Sequence, residues 1–183
     1  MALRKIITTE DHNPVLRQKA RKVHRFDPSL KRLVDDMFET MYANDGAGLA
    51  APQIAQSIRL FVADYEDHKV AMFNPEIVKA EGEVLGTEAC LSIPGWAGEN
   101  IKRAEKVVVK GQDVRGKNIR VTAEGWFARI LQHEIDHLDG ILFTDRLSSP
   151  RDLFRVGESD EMLDETQTEA LRERRTKSQH RAS

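Results

Sequence analysis

Gln132-His133-Glu134-Ile135-Asp136-His137-Leu138-Asp139-Gly140 constrains this chain more than any other stretch. Residues four apart on an α-helix lie one turn above each other, so His133 and His137 can point both imidazoles at one ion. Glu134 then sits one step round the helix, where its carboxylate can take a proton from a metal-bound water. The helix itself is legible. Phe127, Ile130, Leu131, Glu134, Ile135 and Leu138 fall at i, i+3, i+4, i+7, i+8 and i+11, and Gly140 follows as a left-handed stop. Such an apolar surround predicts a central, buried helix. A lone histidine on a core helix is more often a packed residue than a ligand, but the full pattern favours metal chemistry.

The rest of the chain must build that helix a setting. At 183 residues it has the length for one domain with a proper core. A formal charge of -2 carries no global nucleic-acid or membrane signature. No long apolar run follows Met1, so the chain reads as soluble and unsecreted, a single cysteine fits a cytoplasmic location, and a monomer is expected. Its one cysteine, Cys90, cannot pair internally and is either a small buried hydrophobe or a working thiolate.

In order along the chain, Ile6 to Thr9 reads as a short strand. Asp27-Pro28 starts an amphipathic N-terminal helix through Leu30, Leu33, Val34, Met37, Phe38, Met41 and Tyr42, ending at Asn44-Asp45-Gly46. Gly46 to Gln53 is too glycine-rich for helix and too apolar for a surface loop, which implies close backbone approach. Gln53 is its polar exception and could donate to a developing oxyanion. Short strands are expected over Arg59 to Ala63, Val70 to Phe73, Glu76 to Val78, Glu83 to Leu85, Val107 to Val109 and Ile119 to Val121, with Asn74-Pro75 as a break. Strands not interleaved regularly with helices give an α+β class, antiparallel strands packed around the HExxH helix.

A catalytic metal site of this kind uses three protein ligands and an open position. The third could be Glu158, as in a small zincin-like metalloprotease, or Cys90, the softest donor in the chain. The HxxGxxH continuation is absent, because the next histidine is His180.

Gly46-Ala47-Gly48-Leu49-Ala50-Ala51-Pro52-Gln53, Glu88-Ala89-Cys90-Leu91-Ser92 and the helix motif resemble, in order and separation, the three signature motifs of peptide deformylases. The likeness covers residues 1–150, the deformylase-like metal hydrolase domain. Residues 151–183 form a charged extension, helical or disordered. The resemblance implies removal of the N-formyl group from formyl-methionyl nascent peptides, with release of formate. It implies that Cys90, His133 and His137 hold the metal, Fe2+ in the family, with Zn2+, Ni2+ or Co2+ able to replace it. It makes Glu134 the proton acceptor and donor, and Gln53 and the Leu91 N–H the oxyanion donors. Gly48, Leu91, Trp126 and Ile130 match positions at the methionine pocket. The rival functions are the zincin-like protease and a non-catalytic formyl-methionine binding module, and an intact Glu134 and ligand set counts against the latter.

Two details depart from pattern or need a partner. Ala89 stands where the family motif usually has glycine, and would be strained if that position needed φ > 0. A buried Glu88 requires a cation, for which Arg103 is the natural partner. The tail is polarised: residues 151–170 carry two arginines against seven acids, net -5, and residues 171–183 five basic residues against Glu173, net +4. The resemblance stops before this tail, but a C-terminal helix is the family's ribosome contact, so docking of Leu171 to Ser183 on ribosomal RNA is the expectation, with a bare charged tail as the alternative.

Overall fold

Asp27 accepts from the Ser29 N–H with its side chain and Pro28 follows at the first helical position, so α1 (Pro28–Ala43) begins where the sequence places it. In this computed structural model, which describes residues 2–156, α1 is followed by seven strands. They are β1 (Gly48–Ala50), β2 (Leu60–Tyr65), β3 (His68–Glu81), β4 (Val84–Ala89), β5 (Trp96–Arg103), β6 (Lys106–Gln112) and β7 (Asn118–Glu124). Helix α2 (Gly125–Leu138) comes next, and β8 (Leu153–Arg155) closes the described chain. All named strand pairs are antiparallel. One sheet has the order β1-β2-β3-β6-β7 and the other β4-β5-β8.

The continuous apolar run of β2 follows from burial on both faces. Leu60 and Val62 join Leu33, Val34, Met37, Phe38 and Met41 of α1, while Phe61 and Ala63 join Phe127, Ala128, Leu131, Ile135 and Leu138 of α2. Leu49 and Ala50 divide in the same way, as do Met72 and Phe73. Because side chains alternate across a strand, the two helices cover opposite faces of the larger sheet. A third apolar cluster, Ile93, Ile101, Leu142 and Phe143, lies under the smaller sheet and touches Cys90.

Several sequence expectations need correction. Ile6 to Thr9 is not a strand: its N–H groups form no ladder and donate singly, from Ile7 to Gln53 O (2.7 Å), from Thr8 to Asp11 Oδ2 (2.8 Å) and from Thr9 to Ser92 O (2.8 Å). Asn74-Pro75 does not divide β3. Proline lacks the ladder N–H, and the strand absorbs this in a register shift between Phe73 and Glu76, with Asn74 at φ 50. Its side chain bonds the Val23 N–H (2.8 Å), Val23 O (2.7 Å) and Gln112 Oε1 (2.7 Å). Strands β1, β5 and β8 are additional to those expected. The expectations for residues 157–183, Glu158 and Leu171 to Ser183 among them, lie outside the described residues.

Helix α2 ends as Gly140 requires. The Gly140 N–H donates to His137 O (3.2 Å) and the Ile141 N–H to Asp136 O (3.0 Å), the paired bonds of a Schellman stop, with Gly140 at φ 72. A Cβ there would also lie 2.5 Å from Arg17 O. Among the described residues, no helix is long and apolar enough to cross a membrane.

Candidate metal centre and catalytic cleft

Apolar packing of α2 fixes the direction of its polar side chains. Its buried face brings His133 and His137 inside, and β4 delivers Cys90 one residue after its end. One donor atom from each of Cys90, His133 and His137 lies within 4.8 Å of the other two. Cys90 Sγ is 3.2 Å from His137 Nε2.

Glu88 organises the centre from beneath. It is buried, and its oxygens accept from Arg103 Nε and Nη2 (2.8 Å each) and Arg129 Nη1 (2.7 Å). Burial alone would raise its carboxyl, but Arg103 and His133 outweigh it and hold the group ionised. His133 Nδ1 lies 2.8 Å from Glu88 Oε1, so a proton on Nδ1 leaves the other ring nitrogen free to bind a metal. Burial pushes the His133 imidazole down, and the Cys90 sulfur and Glu88 carboxylate more than reverse it. Burial, followed by the positive His133, lowers His137 and favours its neutral, ligating form.

Asp136, on α2 between the two histidines, extends the same network. It accepts from Arg103 Nη1 (2.6 Å) and from Arg146 Nε (2.5 Å) and Nη2 (2.8 Å). The hairpin β4–β5, helix α2 and the segment after it are therefore joined by charge-assisted bonds around Cys90, His133 and His137.

The catalytic candidates surround this set. Gln53 is 2% exposed. Its Oε1 accepts from the Ala50 N–H (2.9 Å), which turns Nε2 toward Ser92 Oγ (3.1 Å) and Cys90 Sγ (3.5 Å). The amide is thus held with its donor edge beside the ligands. Burial pushes the Glu134 carboxyl up to about 7, and its Oε2 has no hydrogen-bond partner among the described residues. Such a group is poised to exchange a proton near neutrality. Gly48 admits it: a Cβ at that position would sit 2.5 Å from Glu134 Oε1.

Of the pocket candidates, Gly48 meets Glu134 directly and Ile130 lies one turn before it in the buried face of α2. Leu91, half-buried, belongs to the α1 side, close enough that a Cβ on Gly46 would be 3.0 Å from its Cδ1. Trp126 is two turns from Glu134, with Arg129 5.7 Å from its ring centroid. Ala89 lies within β4 and outside the positive-φ residues, so replacing glycine there causes no backbone strain. Sequence reasoning missed Ser92, Arg129, Asp136 and Arg146. The signal for Arg129 was a charge inside the apolar run Phe127 to Leu131; the others had none.

The donor set fits a divalent transition metal. It offers one thiolate and two imidazoles, with the tautomer of His133 fixed by Glu88, and three ligands leave a coordination position for a reactant. Comparison with known proteins agrees. The family model for polypeptide deformylase matches residues 3–152. A peptide deformylase of Dehalococcoides mccartyi (strain CBDB1) is 51% identical over 167 residues, covering 90% of this chain and 98% of its own. That of Symbiobacterium thermophilum is 53% identical over 150 residues, covering 80% and 69%. The crystal structure of the Thermus thermophilus peptide deformylase matches at a TM-score of 0.77 and 44% identity, covering 99% of this chain and 100% of that one.

Proposed function

The chain belongs to the polypeptide deformylase family, and from that premise we propose how its own residues divide the work of deformylation. It is a metal-dependent hydrolase that removes the formyl group from formyl-methionyl nascent peptides. Our assignment is that Cys90, His133 and His137 hold the metal, and that in the cell this is Fe2+, for which Zn2+, Ni2+ or Co2+ can substitute. The convergence of their donor atoms within 4.8 Å carries this reading. A rival zincin-like site would need a carboxylate such as Glu158, outside the described residues.

When bound, the ion supplies Lewis acidity, polarising the formyl carbonyl and lowering the pKa of water from 15.7 towards about 7. Glu134 accepts the proton of the attacking water on its buried carboxylate. As the formyl oxygen gains charge, Gln53 Nε2 and the Leu91 N–H donate to it, and removing one such donor costs about 3 kcal/mol. Glu134 then passes its proton to the departing amine nitrogen, which leaves formate and a free methionine amine. Ile130 and Trp126, with the backbone of Gly48, receive the methionine side chain.

Residues 1–150 carry this activity in our reading. Leu171 to Ser183 is assigned to ribosome docking, where basic side chains would meet RNA phosphates. The cytoplasm is the corresponding location. The direct test is anaerobic incubation of the iron-loaded protein with a formyl-Met peptide, following formate. Stoichiometric formate is expected, and its absence from metal-loaded protein would overturn the assignment.

A further inference from the structure

Arg129 is 4% exposed, one turn before His133, on the side of α2 that also carries the buried Gln132 and Asp136. A guanidinium is costly to bury unless its donors are met, and these are met in one direction only, toward the β4–β5 hairpin. Nη1 donates to Glu88 Oε2 (2.7 Å) and to Ile101 O (3.0 Å), and Nη2 to Val84 O (3.1 Å). One side chain of α2 therefore grips both strands of the hairpin whose β4 leads into Cys90. It also meets the carboxylate that orients His133.

Gly86 is shaped to this contact. Its backbone is not left-handed, so the glycine is not there for a positive φ, although the β4–β5 register shifts between Gly86 and Glu88. A Cβ there would lie 2.7 Å from Arg129 Cζ, 2.8 Å from Nη2 and 2.9 Å from Nε. The guanidinium packs against bare backbone.

We propose that Arg129 is a positioning residue for deformylation, locking the strand that presents Cys90 to the helix that presents His133 and His137, with Gly86 as its seat. This rests on the ligand assignment made above. Arg103 holds Glu88 and Asp136 from β5. Arg129 is distinct in bonding two main-chain carbonyls of the hairpin, and so sets where the hairpin lies. Lysine would keep the charge but lacks the planar fork that reaches three acceptors.

The experiment compares full-length wild type, Arg129→Met, Arg129→Lys and Gly86→Ala, each freed of metal and titrated with Co2+ under anaerobic conditions. It reads the dissociation constant by chelator competition, the thiolate-to-cobalt charge-transfer band, and kcat and KM on a formyl-Met peptide. Circular dichroism confirms that each variant is folded at the temperature used. Arg129→Met and Gly86→Ala are expected to bind Co2+ about tenfold or more weakly, as when the support of a metal ligand is lost. Both should shift the band and lower kcat more than they raise KM. Arg129→Lys should fall between them and wild type. If Arg129→Met does not fold, Gly86→Ala and Arg129→Lys decide the matter. A lower melting temperature with wild-type cobalt affinity, band and kcat would overturn the proposal and leave Arg129 a packing residue. Cys90→Ala is the control: if it keeps the band, the ligand assignment itself has failed, whereas loss of the band there with intact Arg129 variants sinks only the role of Arg129.

Discussion

At the scale of single residues, ligand, base and space-giving glycine can be told apart because each variant fails differently. Cys90→Ala removes the only thiol in the chain, leaving two imidazoles, too few for a stable catalytic site. The expected result is loss of stoichiometric metal together with activity, measured by elemental analysis after dialysis. Retained metal would return the search to a carboxylate ligand. Glu134→Gln should instead keep its metal while kcat falls by about 10² or more, the usual cost of a lost general base. Gly48→Ala tests the same carboxylate from outside. The added methyl would meet Glu134 Oε1 at 2.5 Å, and a displacement of about 1 Å can cost about 10²-fold in rate. Gly48→Ala should therefore resemble Glu134→Gln, with metal content preserved and kcat reduced. A normal kcat would mean that Glu134 can move aside without consequence.

Among the elements, the legible ones were those whose own pattern carries the reason for their fold. Helix α1 was readable from Asp27-Pro28 and its 3.6-residue apolar repeat, and α2 from its repeat and Gly140. Strand β5 was hidden because Trp96–Arg103 mixes charges, glycine and one buried isoleucine, and its burial depends on α2 and the chain around Phe143. The extended N-terminal segment was misread for a related reason: it is held by side chains and isolated bonds instead of a ladder. Asp36 on α1 accepts from the Ala2 N–H (2.7 Å) and from Arg4 Nε (2.9 Å) and Nη2 (2.8 Å). The Ala2 N–H first, then Arg4, lower the Asp36 carboxyl below 3.8. A carboxyl whose pKa is depressed by folding contributes stability above its unfolded pKa and loses it as pH falls through the folded value. The difference in melting temperature between wild type and Asp36→Asn should thus be full at pH 6 and shrink below about pH 4. A difference independent of pH would show that the carboxylate charge is not what fastens the segment.

For the molecule as a whole, the candidate site was more legible than the frame that holds it. Cys90, His133, His137, Glu134 and Gln53 announce themselves by residue type, whereas Arg129, Asp136 and Arg146 acquire a role only when the fold joins them to Glu88 and Arg103. The described body, residues 2–156, already contains the Cys90, His133 and His137 cluster, both sheets and both helices. The last strand, β8, pairs with β5 at Trp96, Ala97 and Gly98, so a cut after Val156 leaves every named strand pair intact. The net +4 of residues 171–183 beside the net -5 of residues 151–170 is a charge pattern with no counterpart in the catalytic centre. Truncation after Val156 is accordingly expected to leave kcat and KM for a free formyl-Met peptide within about twofold, because the described body holds the candidate site and every named strand pair without residues 157–183. The same truncation should weaken binding to ribosomes, and the slope of affinity against salt concentration should flatten as phosphate contacts are lost. Unchanged ribosome affinity across the salt series would remove docking from the tail. Lost turnover of the free peptide would instead make residues 157–183 part of the catalytic fold.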